Sequence, residues 1–123
     1  TTAHTLSLHD ALPISGYLKL IEKEIINQYR NKIINIHPAL LPKYGGKGYY
    51  GDFVHKSVLD SKESKSGITI HLVNEKYDDG KVLFQKEVLI DQLETIDSLA
   101  SKIHKLEHKY YPEIIEKYIL NQL

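Results

Sequence analysis

Two hydrophobic periods alternate along this chain. Residues 22–30 set Ile25 and Ile26 among charged and amide positions, the stripe of a short helix. Residues 32–36 are a β-branched run that predicts a strand. The next stretch, 37–51, holds Pro38, Pro42, Gly45, Gly46, Gly48 and Gly51, so its backbone must bend repeatedly. Asp52 is placed to cap a helix that reaches Leu59. Residues 67–73 alternate: Ile68, Ile70 and Leu72 face one way, Thr69, His71 and Val73 the other. A polar turn, 74–80, leads to a second strand over 81–90. Thr95 or Asp97 then opens a long helix with Ile96, Leu99, Ile103 and Leu106 at spacings of three and four. Pro112 predicts a kink or restart, after which Ile114, Ile115, Tyr118 and Ile119 continue the stripe. Residues 1–13 show no period, and Pro13 interrupts them.

The order helix, strand, loop, helix, strand, strand, helix predicts an α/β sheet with helical cover. A length of 123 residues sets the limit at one modest domain. Lys+Arg and Asp+Glu both number 16, and this balance argues against nucleic acid or a membrane surface as the main partner. The absence of cysteine excludes disulfides and thiolate nucleophiles. No apolar run has the length of a membrane span. The start also lacks the basic and apolar regions of a secretion signal, so a cytoplasmic setting is expected.

Ligands of open α/β sheets sit beyond the C-terminal ends of strands. Asn35 and His37 close the first predicted strand; two apart, they face the same side. The next strand empties into Asn74, Glu75, Lys76, Tyr77 and Asp78. If the two strand ends are neighbours, an amide, an imidazole and a carboxylate converge. That set suits acyl transfer. Amide and imidazole N–H groups can stabilise an oxyanion, and a carboxylate raises the histidine pKa, keeps it protonated and helps to move a proton. No cysteine is present and no serine stands beside His37, so no covalent intermediate is implied. On geometry alone, the blander alternative is that Asn35 and His37 satisfy backbone groups at a strand end.

The run Asn35-Ile36-His37-Pro38-Ala39-Leu40-Leu41-Pro42 resembles the signature of the folate-dependent formyltransferases. Lys43-Tyr44-Gly45-Gly46, the alternating Gly67, Thr69, His71 and Val73, the Asp78 turn ending at Gly80, and Glu107-His108 followed by Tyr111-Pro112 extend the likeness in order. Within that group the chain is similar to the phosphoribosylglycinamide formyltransferase family, over residues 14–123. The resemblance implies a Rossmann-like open sheet with flanking helices, of which this chain is the C-terminal, catalytic part. It implies formyl transfer from 10-formyltetrahydrofolate to the amine of 5'-phosphoribosylglycinamide in purine biosynthesis, with small-molecule partners and no metal. By position it makes Asn35, His37 and Asp78 catalytic. Leu18, Lys19, Leu20 and Ile21, together with Asn35 and the turn from Asn74 to Asp78 (Glu75, Lys76 and Tyr77 included), would line the folate site. His104, Lys105, Leu106 and Glu107 would contact the ribonucleotide, with Glu107 the ribose partner. Residues 1–13 fall outside the resemblance and are expected to be unrelated sequence joined near Ile14. The family's phosphate loop lies in a preceding half, so folate is expected to bind better than ribonucleotide.

His104-Lys105-Leu106-Glu107-His108 also fits a zinc-peptidase pattern. No third ligand is evident, and a solvated helix face is the preferred interpretation. Lys43, Lys47 and their glycines match no phosphate-loop spacing. Two other function classes stand beside formyl transfer to glycinamide ribonucleotide. One is another formyl-folate enzyme, a formyltetrahydrofolate hydrolase or methionyl-tRNA formyltransferase; the other is an inactive fragment or interaction module.

Overall fold

The computed structural model describes residues 12–14 and 23–123. Among them the order is β1 (Leu12–Ile14), α1 (Lys23–Gln28), β2 (Ile33–His37), α2 (Asp52–Asp60), β3 (Lys65–Leu72), β4 (Val82–Leu89) and α3 (Ile96–Ile119). The strands form one open sheet in the order β1-β2-β3-β4. β1 runs parallel to β2, while β2–β3 and β3–β4 are antiparallel. The expected α/β sheet with helical cover is present. β1 was not expected: the boundary proposed near Ile14 falls on a strand whose three residues pair in register with Ile33, Ile34 and Asn35.

Register sorts the side chains. In the β2–β3 ladder Ile34 faces Leu72 and Ile36 faces Ile70, while Asn35 faces His71 and His37 faces Thr69. Residues opposite each other share a face, so one face is aliphatic and the other carries two histidines, an amide and a hydroxyl. Against the aliphatic face pack Val54 and Val58 of α2 and Leu99, Ile103 and Ile114 of α3. On the polar face, Ile26 of α1 packs with Ile33 at the far end of β2. Ile103 is fully buried in the main core. Ile103→Ala is therefore expected to cost about 2–5 kcal/mol of unfolding free energy, measured by urea titration; a loss under 1 kcal/mol would place Ile103 outside the packed core.

Four local points are settled by the structure. The N-cap of α2 is Gly51, with φ of 57°, and Asp52 is the first helical residue, where its charge still suits the helix dipole. Thr95, not Asp97, caps α3, exchanging hydrogen bonds with Ser98 in a capping box. Pro112 does not break α3, which runs 24 residues through it. Proline inside a helix costs about 3 kcal/mol, but buried Leu99, Ile103 and Ile114 lie on both sides of it. The Tyr111 hydroxyl also donates to the Ile34 carbonyl at 3.1 Å, and the Tyr118 hydroxyl donates to that of Asn31. Each buried aliphatic side chain contributes about 1.5–3 kcal/mol, so tertiary packing outweighs the local defect.

The fourth point concerns the strand ends. Because β2 and β3 are antiparallel, the C-terminal end of β3 lies beside the start of β2, not beside His37. The β3–β4 connection closes tightly instead. The Leu72 N–H donates to the Lys81 carbonyl at 2.8 Å, and a Cβ on Gly80 would stand 1.6 Å from the Leu72 carbonyl oxygen. Only glycine allows that approach, and the loop it closes carries Asp78 back to the polar face.

Candidate active site

The polar face is built from alternate residues of two strands. Asn35 and His37 come from β2, and His71 and Thr69 stand opposite them on β3. His37, Thr69 and His71 are all buried. The 74–80 loop adds Asp78 in a left-handed conformation, φ 52°. This loop is fixed by its own chemistry. Asn74 accepts from the Lys76 N–H at 2.9 Å, an Asx turn, and Glu75 pairs with Arg30 from the turn after α1.

Asp78 lies between two imidazoles. Its Oδ1 is 3.5 Å from His37 Nδ1 and 3.6 Å from His71 Nε2, and its Oδ2 accepts the Gly46 N–H at 2.9 Å. Gly46 has φ of +100°, which glycine adopts without strain. Burial raises the Asp78 pKa, but His71, His37 and the Gly46 N–H together outweigh it and hold the carboxyl below its ordinary 3.8. His71 donates through Nδ1 to the Leu72 carbonyl at 2.9 Å, so its Nε2 is the nitrogen turned to Asp78.

His37 Nε2 sits 2.6 Å from the Tyr44 carbonyl oxygen, which can only accept, so Nε2 carries a proton. Both ring nitrogens then face acceptors, an arrangement that suits the imidazolium. Burial opposes that charge and outweighs Asp78 and the Tyr44 carbonyl, so His37 titrates below its ordinary 6.5. Asp78 pulls the pKa upward, as expected of a carboxylate beside an imidazole, and burial pulls it down by more. Asn35 Oδ1 is buried without a hydrogen-bond partner among the described residues.

The ribonucleotide residues expected on α3 separate. Glu107 is half-buried, and burial raises its pKa. His104 and Lys105 are exposed, with His104 Nε2 3.9 Å from Glu107 Oε1. Leu106 is partly buried and packs against the core. No group of three or more His, Asp or Glu able to hold a metal forms among the described residues. Leu18, Lys19, Leu20 and Ile21 lie outside the described residues.

Two site residues were given no role. His71 was quoted only within the alternating strand that extends the resemblance; its pairing with Asn35 follows from register. His55, buried on α2, has an unpartnered Nδ1, and burial lowers its pKa, with Asp52, His104 and His37 in electrostatic reach. Nothing in the local sequence marks it beyond its residue type.

A family model described as formyl transferase matches residues 5–115 of this chain. The chain belongs to the formyl transferase family. Its match begins ahead of the boundary expected near Ile14. Phosphoribosylglycinamide formyltransferase of Arabidopsis thaliana, a chloroplastic protein, is 48% identical over 106 residues, covering 86% of this chain and 36% of its own length. The Bacillus subtilis phosphoribosylglycinamide formyltransferase is 39% identical over 114 residues, covering 91% of this chain and 56% of the relative. Among solved structures, phosphoribosylglycinamide formyltransferase from Bacillus halodurans has a TM-score of 0.79 at 30% identity over 88% of this chain and 53% of that one. This formyl transferase chain thus spans about a third to a half of the relatives it matches. Among its described residues no helix is long and apolar enough to cross a membrane.

Proposed function

We propose that this chain carries the catalytic part of a phosphoribosylglycinamide formyltransferase, moving a formyl group from 10-formyltetrahydrofolate to the amine of 5'-phosphoribosylglycinamide. The observation that carries this reading is the meeting of Asn35, His37 and Asp78 at one polar sheet face in a formyl transferase family member. The formyl donor supplies an electrophilic carbonyl carbon, and the residues here fit it. The Asn35 amide and the His37 Nε2–H are donors for the oxygen that becomes negative as the amine adds. His37 reaches that oxygen by giving up the Tyr44 carbonyl. The buried, unpartnered Asn35 Oδ1 is an acceptor for an N–H of the incoming amine. Asp78, kept ionised by its neighbours, accepts the proton that the amine loses, and a proton is returned to the folate nitrogen as its bond to the formyl carbon breaks. The loop from Asn74 to Asp78 contributes backbone groups to the folate, and Glu107 accepts from ribose hydroxyls. The relatives named for this activity support the choice of acceptor.

Calorimetric titration with a 10-formylfolate analogue and, separately, with 5'-phosphoribosylglycinamide tests the proposal. Saturable binding of the folate analogue, weakened by Asp78→Asn, is the expected result. A folded chain that binds neither compound would sink it.

A further inference from the structure

Residues 38–46 form no helix or strand, yet they carry the carbonyl that holds His37 and the N–H that holds Asp78. A buried hydroxyl anchors them. Thr69 Oγ1 donates to the Ala39 carbonyl at 2.7 Å, accepts the Leu41 N–H at 3.0 Å and accepts Gln85 Nε2 at 2.9 Å. One donor and two acceptors exhaust a hydroxyl. The same Gln85 nitrogen donates to the Leu41 carbonyl at 2.9 Å, so Leu41 is held at both its N–H and its C=O. Thr69 is the ladder partner of His37, and Gln85 is the ladder partner of Thr69. The three residues form one row across three strands, with the loop that leaves His37 fastened to it within four residues. The path continues through Leu41 and Pro42 to Tyr44, in the left-handed region at φ 57°, whose carbonyl meets the His37 ring.

We propose that Thr69 and Gln85 are positioning residues that set the orientation of the His37 imidazole through the 38–46 loop. For its effect on turnover the proposal rests on the formyl-transfer reading; its geometry stands apart from it. A valine at 69 keeps the shape of threonine but leaves the Ala39 carbonyl and Leu41 N–H buried without partners, and the loop must shift to satisfy them. The ring then loses part of its cover and its Tyr44 contact. Asp78, His71 and His55 are the other ionisable groups around it. Burial is the largest influence on the ring, so its relief moves the titration toward the ordinary value of 6.5.

The test is an NMR pH titration of the His37 ring in the wild-type chain, Thr69→Ser, Thr69→Val and Gln85→Ala, with circular dichroism to establish folding. Wild type and Thr69→Ser are expected to titrate together. Thr69→Val moves upward toward the ordinary value, and Gln85→Ala moves the same way by less. A kcat assay is expected to follow the same order, with up to about 10²-fold lost in Thr69→Val, the scale of a misplaced catalytic group, and KM little changed. A folded Thr69→Val with wild-type His37 titration overturns the proposal, as does Thr69→Ser behaving like Thr69→Val. If Thr69→Val does not fold, Gln85→Ala decides: an unmoved His37 titration overturns the proposal and a shift supports it. A wild-type chain that transfers no formyl group would count against the proposed function alone, and the titration would still decide the positioning role.

Discussion

His37→Ala is expected to lower kcat for formyl transfer by on the order of 10²–10³, the scale measured when one oxyanion donor is removed. The ring is held at Nε2 by the Tyr44 carbonyl and faces Asp78 at Nδ1, so its position is set before any substrate arrives. Its N–H leaves the Tyr44 carbonyl only for the oxygen on which negative charge develops, an interaction made in the transition state, so its removal falls on kcat more than on KM. The variant also leaves a small cavity and an unpartnered carbonyl, so turnover is compared at a temperature where circular dichroism shows both proteins folded. Near-normal kcat in the folded variant would remove His37 from the chemistry.

Asp78→Asn is expected to do at least as much. In the proposed role Asp78 accepts a proton, and general acid–base catalysis contributes about 10²–10⁴. Asparagine keeps an oxygen for the Gly46 N–H but loses the charge. Since Asp78 raises the His37 pKa against burial, the variant's His37 titrates lower than the wild type's, and NMR reads that shift directly. Stability responds with its own sign. The folded Asp78 pKa lies below 3.8, so its stabilising contribution is complete above that value and is lost as pH falls through the folded pKa. His37 is depressed from 6.5, so folding disfavours its protonation and stability declines as pH drops below 6.5 toward the folded value. Asp78→Asn should abolish the first dependence and keep the second. Full activity with an unshifted His37 would remove Asp78 from the mechanism.

The two-residue spacing of Asn35 and His37 was enough to put them on one face, because strand alternation is a local property. The convergence with Asp78 was conditional on neighbouring strand ends. That condition is not met: the ladder is antiparallel, and a glycine-closed loop brings the carboxylate back. Strand direction depends on pairing partners far apart in sequence, and composition does not encode it. The same limit hid His71, which becomes a neighbour of Asn35 only once the register is known. It also hid the Arg30–Glu75 pair, which joins positions 45 residues apart. At Pro112 the local penalty is real, but the buried residues on both sides of it carry the helix through, so the helix does not restart there.

The most direct measurement follows an isotope-labelled formyl group. The chain is incubated with labelled 10-formyltetrahydrofolate and 5'-phosphoribosylglycinamide, and the products are identified by mass spectrometry. The label is expected on the amine of the ribonucleotide, at a rate that depends on that amine and collapses in His37→Ala. Label released as formate at the same rate with or without the amine would contradict it and point to a hydrolase; retention of all label on the folate by the folded chain would contradict it outright.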